Sequence, residues 1–183
     1  MCLGCSTSEC KKYTPKQYML QDHKLHEPRS KAAQEQMIWD EYFLGIAEAV
    51  ALKSKDESSK IGAVIVGPDH EIRSTGYNGF PRGFNDNDPE KQIRPGKYKY
   101  FEHAERNAIY NAARFGAKVK NCTMYCQWPP CSDCARAIIQ AGIKKLVIKH
   151  GILTCPKRWH EDMGIAAGML RECGVKFEVI NNE

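Results

Sequence analysis

Apolar residues recur at helical and strand spacings along the first half of the chain after its polar start. Over residues 36–53 they return every three or four positions, which predicts an amphipathic helix. The short apolar run at 61–66 predicts a buried strand. A Gly-Pro-Asp turn separates it from residues 71–77, which we expect to be its antiparallel partner.

In the second half of the chain, predicted helices and strands alternate. Helical patterns cover residues 102–115, 132–140 and 159–173, and strand patterns cover residues 122–126, 145–148 and 175–180. Residues 81–100 are polar and contain Pro, Gly and Asn, which predicts a long loop. A hairpin followed by alternating elements predicts an α/β fold: a three-layer α/β/α sandwich around a mixed five-stranded sheet.

Residues 1–33 lack this periodicity, so we divide the chain into an N-terminal extension (1–33) and a main domain (34–183). The extension contains five soft side chains, Cys2, Cys5, Cys10, His23 and His26. Their spacing is similar to that of zinc ligands, which makes a second zinc site one interpretation. The alternative is a disordered tail in which these residues have no common role.

Composition limits the classes of function. The chain has 183 residues, of which 42% are hydrophobic and 27% charged, a soluble composition with room for a core. No apolar run approaches the roughly 18 residues of a membrane span, and the N-terminus has no apolar signal segment. We therefore expect a cytoplasmic protein. A net charge of +5 suits an anionic small molecule and is too small to indicate nucleic-acid binding.

Two short motifs carry the chemistry, His-Ala-Glu at 103–105 and Pro-Cys-Ser-Asp-Cys at 130–134. Together they match the H-x-E and P-C-x-x-C signature of zinc deaminases. His103, Cys131 and Cys134 supply three ligands, and a catalytic zinc site keeps a fourth position open for water. A predicted helix begins at the two cysteines, and a helix N-terminus stabilises thiolates.

These motifs predict a hydrolytic deamination. Glu105, two residues from His103, takes a proton from the zinc-activated water, which attacks C4 of a cytosine ring. Glu105 then delivers protons to N3 and to the amino group, which leaves as ammonia. Backbone groups around Ala104 and Cys131 are candidates to hold the edge of the base.

Other positions are candidates for substrate contacts. Five basic residues that could bind a phosphate lie on or beside the long loop: Arg82, Arg94, Lys97, Lys99 and Arg106. Of these we favour Arg82 and Arg106, and the alternative is a solvated basic loop. Trp128 either forms a wall of the base pocket or packs at a loop bend. For Trp159 and the stripe of Met163, Ala166, Ala167 and Leu170 we expect core or subunit contacts rather than a ligand site.

On four segments the chain resembles the deoxycytidylate (dCMP) deaminase family of the zinc-dependent cytidine deaminase superfamily. They are residues 59–66 (SKIGAVIV), 76–81 (GYNGFP), 103–109 (HAERNAI) and 124–134. The GYNG turn points to the deoxycytidylate branch. The resemblance implies a cytidine deaminase-like fold and conversion of dCMP to dUMP and ammonia. It also implies a homo-oligomer, a hexamer in many members, regulated by dCTP and dTTP.

The resemblance further implies that Asn78 contacts the sugar or base, and that Gly79 lets the backbone approach the nucleotide. An Asn-Gly pair is also an ordinary turn, so that reading stays open. The alternative substrates that stay open are dCTP, a 5-substituted dCMP, and a base in RNA or single-stranded DNA. The mild net charge argues against a nucleic-acid substrate. A non-enzymatic zinc-stabilised module is a further alternative, but it has no need of Glu105.

Overall fold

The computed structural model describes residues 30–85 and 88–180. The elements in chain order are α1 (Lys31–Ala51), β1 (Gly62–Val66), β2 (Ile72–Tyr77), α2 (Ala104–Phe115), β3 (Thr123–Cys126), α3 (Ser132–Gln140), β4 (Lys145–Ile148), α4 (His160–Glu172) and β5 (Lys176–Val179). Each helix and strand predicted from periodicity is confirmed in type. Helix α1 begins at Lys31, five residues before the predicted start and inside the predicted N-terminal extension.

The five strands form one mixed sheet in the order β2-β1-β3-β4-β5. Strand β1 pairs antiparallel with both β2 and β3, with Ala63 opposite Gly76 on one side and Cys126 on the other. Strands β3, β4 and β5 run parallel. The predicted mixed five-stranded sheet is therefore confirmed.

Helices cover both faces of the sheet, which gives the predicted three layers. On one face Phe43 and Ala47 of α1 pack with Val64 and Val66 of β1. On the other face Ala63 and Ile65 pack in the core that α2, α3 and α4 share. All five residues of β1 are buried, because successive side chains point into two different apolar layers.

Two glycines allow helices to lie directly against strand backbones. A Cβ built on Gly62 would lie 2.1 Å from the carbonyl oxygen of Ala47 in α1. A Cβ on Gly76 would lie 2.3 Å from the nitrogen of Ala108 and 2.4 Å from the oxygen of Ala104, both in α2. The first turns of α2 are thereby held close to the end of β2.

The segment predicted as a long loop contains two short 3₁₀ helices, Pro89–Gln92 and Gly96–Lys99. Lys97 in the second is buried, with 3% of its surface exposed. Among the residues that the structure describes, no helix is long and apolar enough to cross a membrane. The predicted N-terminal site of Cys2, Cys5, Cys10, His23 and His26 lies outside the described residues, and the division at residue 33 stays a prediction.

Candidate active site

Three soft side chains meet where two helices begin. His103 is the N-cap residue of α2 and Cys131 is the N-cap residue of α3, so both precede the first helical turn with extended backbone. Cys134 lies in the first turn of α3. The ligand atoms of these three residues lie within 4.8 Å of one another, so sequence-distant motifs come together as predicted.

The distances among these atoms fit a tetrahedral metal ion. His103 Nδ1 lies 3.4 Å from Cys131 Sγ and 3.5 Å from Cys134 Sγ. Zinc bonds of about 2.0 Å to nitrogen and 2.3 Å to sulfur, at tetrahedral angles, separate nitrogen from sulfur by about 3.5 Å. One nitrogen and two sulfurs are a donor set that zinc prefers, and they leave a fourth position open. The residues present therefore fit zinc.

The two cysteines differ in acidity because they share one proton. A hydrogen bond from the Cys134 thiol, helped by His103 and opposed by burial, lowers the pKa of Cys131 to about 4. The same contact and burial raise the pKa of Cys134. Both lie at the N-terminus of α3, whose dipole favours negative charge. A bound metal cation removes the remaining proton, since a coordinating thiol is deprotonated.

Glu105 is a buried carboxyl group in the first turn of α2, next to the metal-ligand group. Only 5% of its surface is exposed. Burial raises its pKa, although the neighbouring His103 opposes this effect. A buried carboxyl group whose pKa is raised towards neutrality is suited to accept and return a proton.

His103, Cys131 and Glu105 border one cavity of about 90 Å³. Its wall also contains Ala104 and Asn78, two of the residues predicted to contact the substrate. Aromatic and apolar side chains contribute the remaining surface, namely Ile61, Tyr98, Phe101, Trp128, Pro129, Trp159 and Met163. Of the two alternatives for Trp128, the structure therefore favours a wall of the pocket. Trp159 and Met163, for which we expected core or subunit contacts, both border this cavity, and Met163 is also buried in the core.

Asn78 is fixed by hydrogen bonds within the protein. Its Oδ1 accepts from the backbone of Ile61 at 2.8 Å, and its Nδ2 donates to Ser59 O at 2.8 Å and to Asp56 Oδ2 at 3.1 Å. Both amide hydrogens are thus engaged, which leaves one lone pair of the oxygen for a ligand. A substrate contact by Asn78 stays a prediction.

Behind Asn78 lies a buried ion pair. Lys97 Nζ donates to Asp56 Oδ1 at 2.7 Å, and the two side chains are 4% and 6% exposed. Burial raises the pKa of Asp56, but hydrogen bonds from Lys97 and Ser58 outweigh it and lower the pKa. Sequence reasoning missed this pair, because Lys97 is one of several lysines in a polar segment with no apolar periodicity.

Gly79 forms an isolated antiparallel β-bridge with Glu102, the residue before His103. Its N–H donates to Glu102 O at 3.0 Å and its carbonyl accepts from Glu102 N at 2.8 Å. A Cβ on Gly79 would meet only the Tyr77 ring, at 3.9 Å. The predicted approach of this backbone to a nucleotide stays a prediction.

The two arginines predicted as phosphate donors lie outside the cavity wall. Arg106 bridges the starts of α2 and α3, with its Nε on Glu102 and its Nη1 3.3 Å from Asp133 Oδ2. Arg82 is exposed and donates to Asn111 Oδ1 at 2.5 Å. Because neither arginine lines the cavity, the structure gives no support to their predicted role as phosphate donors, and that role stays a prediction.

Four residues outside the two motifs line the cavity with exposed or half-buried side chains: Arg94, Tyr98, Arg158 and Trp159. We call them the cavity rim. The Tyr98 and Trp159 rings meet edge to face, with centroids 5.4 Å apart. Arg158 lies over Trp159, with its guanidinium carbon 5.8 Å from the ring centroid. The rim thus joins two irregular segments that are far apart in the sequence.

Comparison with known proteins agrees with this geometry. Residues 37–150 match the family model described as the cytidine and deoxycytidylate deaminase zinc-binding region. The chain is 44% identical to the deoxycytidylate deaminase of Mus musculus over 115 residues, which is 60% of this chain and 63% of that protein. That match therefore spans less than two thirds of the mouse protein.

Two further relatives cover more of their own length. The chain is 40% identical to the deoxycytidylate deaminase of Homo sapiens over 129 residues, 67% of this chain and 71% of the human protein. Its fold is similar to the crystal structure of dCMP deaminase from the cyanophage S-TIM5 in complex with dCMP and dUMP. That match has a TM-score of 0.56 and 25% identity, and covers 85% of this chain and 99% of the phage chain. The chain belongs to the cytidine and deoxycytidylate deaminase family.

Proposed function

We propose that this protein is a zinc-dependent nucleotide deaminase that hydrolyses dCMP to dUMP and ammonia. The observation that carries the proposal is the grouping of His103, Cys131 and Cys134 within 4.8 Å beside the buried Glu105, in a cavity lined by aromatic side chains. A binding module needs no buried acid next to a metal-ligand group, whereas a deaminase needs one.

His103, Cys131 and Cys134 would hold the zinc ion. When bound, zinc supplies Lewis-acid chemistry that lowers the pKa of water towards neutrality. The Glu105 carboxylate accepts a proton from the attacking water and delivers it to N3 of the cytosine ring. It then passes a second proton to the amino group at C4, so that one water is consumed and one ammonia leaves.

The cavity wall holds the base during these transfers. Trp128 and Phe101 provide aromatic surface for the pyrimidine ring, and burial of that surface excludes bulk water from Glu105. The Ala104 backbone lies between the metal ligand and the proton carrier, at the N-terminus of α2. The fixed amide of Asn78 gives one wall a rigid polar group for the sugar or base.

Some parts of the proposal rest on family resemblance alone. They are the homo-oligomer, hexameric in many members, and its regulation by dCTP and dTTP. A cytoplasmic location stays a prediction from the composition of the sequence. A second zinc ion bound by the N-terminal cysteines and histidines is a prediction from their spacing.

The test is ammonia release by purified full-length protein, with zinc content measured on the same sample. The substrates are dCMP, dCTP, 5-methyl-dCMP, deoxycytidine and a cytosine-containing oligonucleotide. We expect turnover of dCMP with at least one zinc per chain, and more than one zinc would support the N-terminal site. Zinc-loaded protein that releases ammonia from none of these substrates would contradict the proposal, and activity on the oligonucleotide alone would move it to nucleic acid.

A further inference from the structure

We propose that Asp162 is a positioning residue of the metal centre, which holds the first turn of α3, and with it Cys131 and Cys134, in place for zinc. This inference rests on the proposed function and adds a residue that neither sequence motif contains. Asp162 lies in the first turn of α4, where it is half-buried. Its two carboxylate oxygens both accept hydrogen bonds from Ser132, the first residue of α3.

The start of α3 lacks the usual capping side chain. Helices commonly begin at a Ser, Thr, Asp or Asn, whose side-chain oxygen accepts from the free backbone N–H groups of the first turn. Here the N-cap residue is Cys131, and its sulfur is a proposed metal ligand. Asp162 supplies oxygen acceptors from the neighbouring helix instead: Ser132 N lies 3.0 Å from Oδ2, and Ser132 Oγ lies 2.6 Å from Oδ1. One carboxylate thus fixes the backbone and the side chain of the residue that follows Cys131.

The Asp162 carboxylate is directed to this helix start and not to a basic side chain. Within residues 30–85 and 88–180 it forms no ion pair, and its side-chain hydrogen bonds are the two to Ser132. It lies where α3 and α4 both begin, and a helix N-terminus favours a negative charge. Hydrogen bonds to an ionised acceptor are also stronger than those to a neutral one. The contact is therefore suited to hold one helix start against the other.

The two residues between the metal-ligand cysteines are tied to two different helices. Ser132 is bound by Asp162 of α4, and Asp133 lies 3.3 Å from Nη1 of Arg106 in α2, the helix that begins after His103. The Asp133 side chain is 57% exposed, so the arginine bridge is the more solvated of the two contacts. An ion pair so exposed contributes little. Asp162 therefore provides the firmer of the two attachments.

The same contact joins the metal ligands to a wall of the cavity. Trp159 and Met163 are three residues before and one residue after Asp162, and both line the cavity together with Cys131. The hydrogen bonds to Ser132 thus set the start of α4 against the start of α3. Loss of Asp162 should change the metal-ligand group and this wall together.

The test measures the zinc affinity of the full-length protein by competition with a chelator, without substrate. We expect Asp162→Ala to weaken zinc binding roughly tenfold to a hundredfold, the range for residues that hold metal ligands in position. Asp162→Asn keeps the shape and an oxygen acceptor for Ser132 N, so it should restore most of the affinity. Glu161→Ala is the matched control, because Glu161 is the neighbouring exposed acid in the same turn of α4. Its zinc affinity should equal that of the wild type.

Cobalt bound in place of zinc separates positioning from stability, because its absorption spectrum depends on the coordination geometry. We expect Asp162→Ala to alter the cobalt spectrum, and Glu161→Ala to keep it. Urea unfolding of the metal-loaded variants measures their stability separately. If Asp162→Ala lowered the free energy of unfolding but kept the zinc affinity and the cobalt spectrum of the wild type, Asp162 would only stabilise the fold, and the inference would be overturned.

Ser132→Ala removes the hydroxyl contact alone and makes the same comparison if Asp162→Ala does not fold. It should weaken zinc binding severalfold, and an unchanged affinity would overturn the inference. Ammonia release from dCMP, measured on the same samples, keeps the two proposals distinguishable. Zinc-loaded wild type that released no ammonia would contradict the proposed function alone, since zinc affinity and the cobalt spectrum are measured without substrate. An active wild type whose Asp162→Ala variant bound zinc as tightly as Glu161→Ala would overturn the positioning role alone.

Discussion

The metal-ligand group and the cavity rim are two parts of one cavity that are built in opposite ways. His103, Cys131 and Glu105 lie at helix N-termini that pack against the sheet. Arg94 and Arg158 lie on irregular segments with exposed side chains. The first part is positioned by the core, and the second by surface loops. Changes in the two parts should therefore affect different measurements.

The largest expected effect is on the chemistry at the metal-ligand group. Glu105→Gln should lower kcat for dCMP by about a hundredfold to ten-thousandfold, because a glutamine cannot carry the proton. Zinc content, measured on the same samples, should not change, since the residue is not a ligand in this proposal. Glu172→Gln, an exposed acid at the end of α4, is the control. Full activity of Glu105→Gln would show that another group moves the proton.

The next effect is on stability, at the ion pair behind the cavity. Lys97→Met leaves the Asp56 carboxylate buried without its partner, so we expect a loss of about 3–5 kcal/mol in the free energy of unfolding. Lys99→Met, an exposed lysine in the same 3₁₀ helix, should cost no more than about 0.5 kcal/mol. Urea unfolding of zinc-loaded protein measures both. If both variants lost the same free energy of unfolding, the pair of Lys97 and Asp56 would contribute no more to stability than an exposed lysine does.

A smaller effect is expected where α2 meets the sheet. Gly76→Ala should destabilise the protein by about 1–3 kcal/mol, because the added methyl collides with the α2 backbone, which can move only as a unit. Activity should fall with stability, since α2 carries His103 and Glu105. Gly164→Ala in α4 is the matched control, as a Cβ there meets nothing within 4 Å. Thermal unfolding and ammonia release compare the two, and a harmless Gly76→Ala would show that the sheet does not position α2.

The smallest expected effect is the pH dependence that Asp56 adds. Because its pKa is lowered on folding, its contribution is fully present above the unfolded value near pH 4 and is lost as pH falls through the lower folded pKa. Asp56→Asn should remove this part of the acid slope, at most about 1.4 kcal/mol per pH unit. Urea midpoints between pH 3 and 6 measure it. An unchanged slope would mean that other carboxylates dominate.

The sequence predicted the metal-ligand group better than the rim for a physical reason. Its ligands lie in two short motifs, each at a helix start that periodicity also indicates, and together they match a known zinc-deaminase signature. Arg94 and Arg158 lie more than sixty positions apart in segments without periodicity. Their proximity depends on how the loops cross the sheet edge, which no local pattern encodes. Among the basic residues on or beside the long loop, nothing in the sequence favours Arg94 and Lys97, which line the cavity, over Arg82 and Arg106, which do not.

Trp159 shows the limit in another form. It directly precedes the α4 stripe of Met163, Ala166 and Leu170, and this pattern correctly predicted a helix with a buried face. Apolar residues at helical spacing predict a buried face, but they do not show which of those residues border a cavity. Trp159 and Met163, at the N-terminal end of α4, border the cavity, while Ala166 and Leu170 lie in the core.

The order of the sheet has a consequence for synthesis of the chain. Strand β1 can pair with β2 as soon as Tyr77 has left the ribosome, but its other edge waits for β3, where Ala63 meets Cys126. Throughout that interval an entirely apolar strand has one unpaired edge, the kind of surface through which nascent chains associate. Slow translation between these strands would prolong that exposure, so the yield of folded protein should depend on chaperones and on growth temperature.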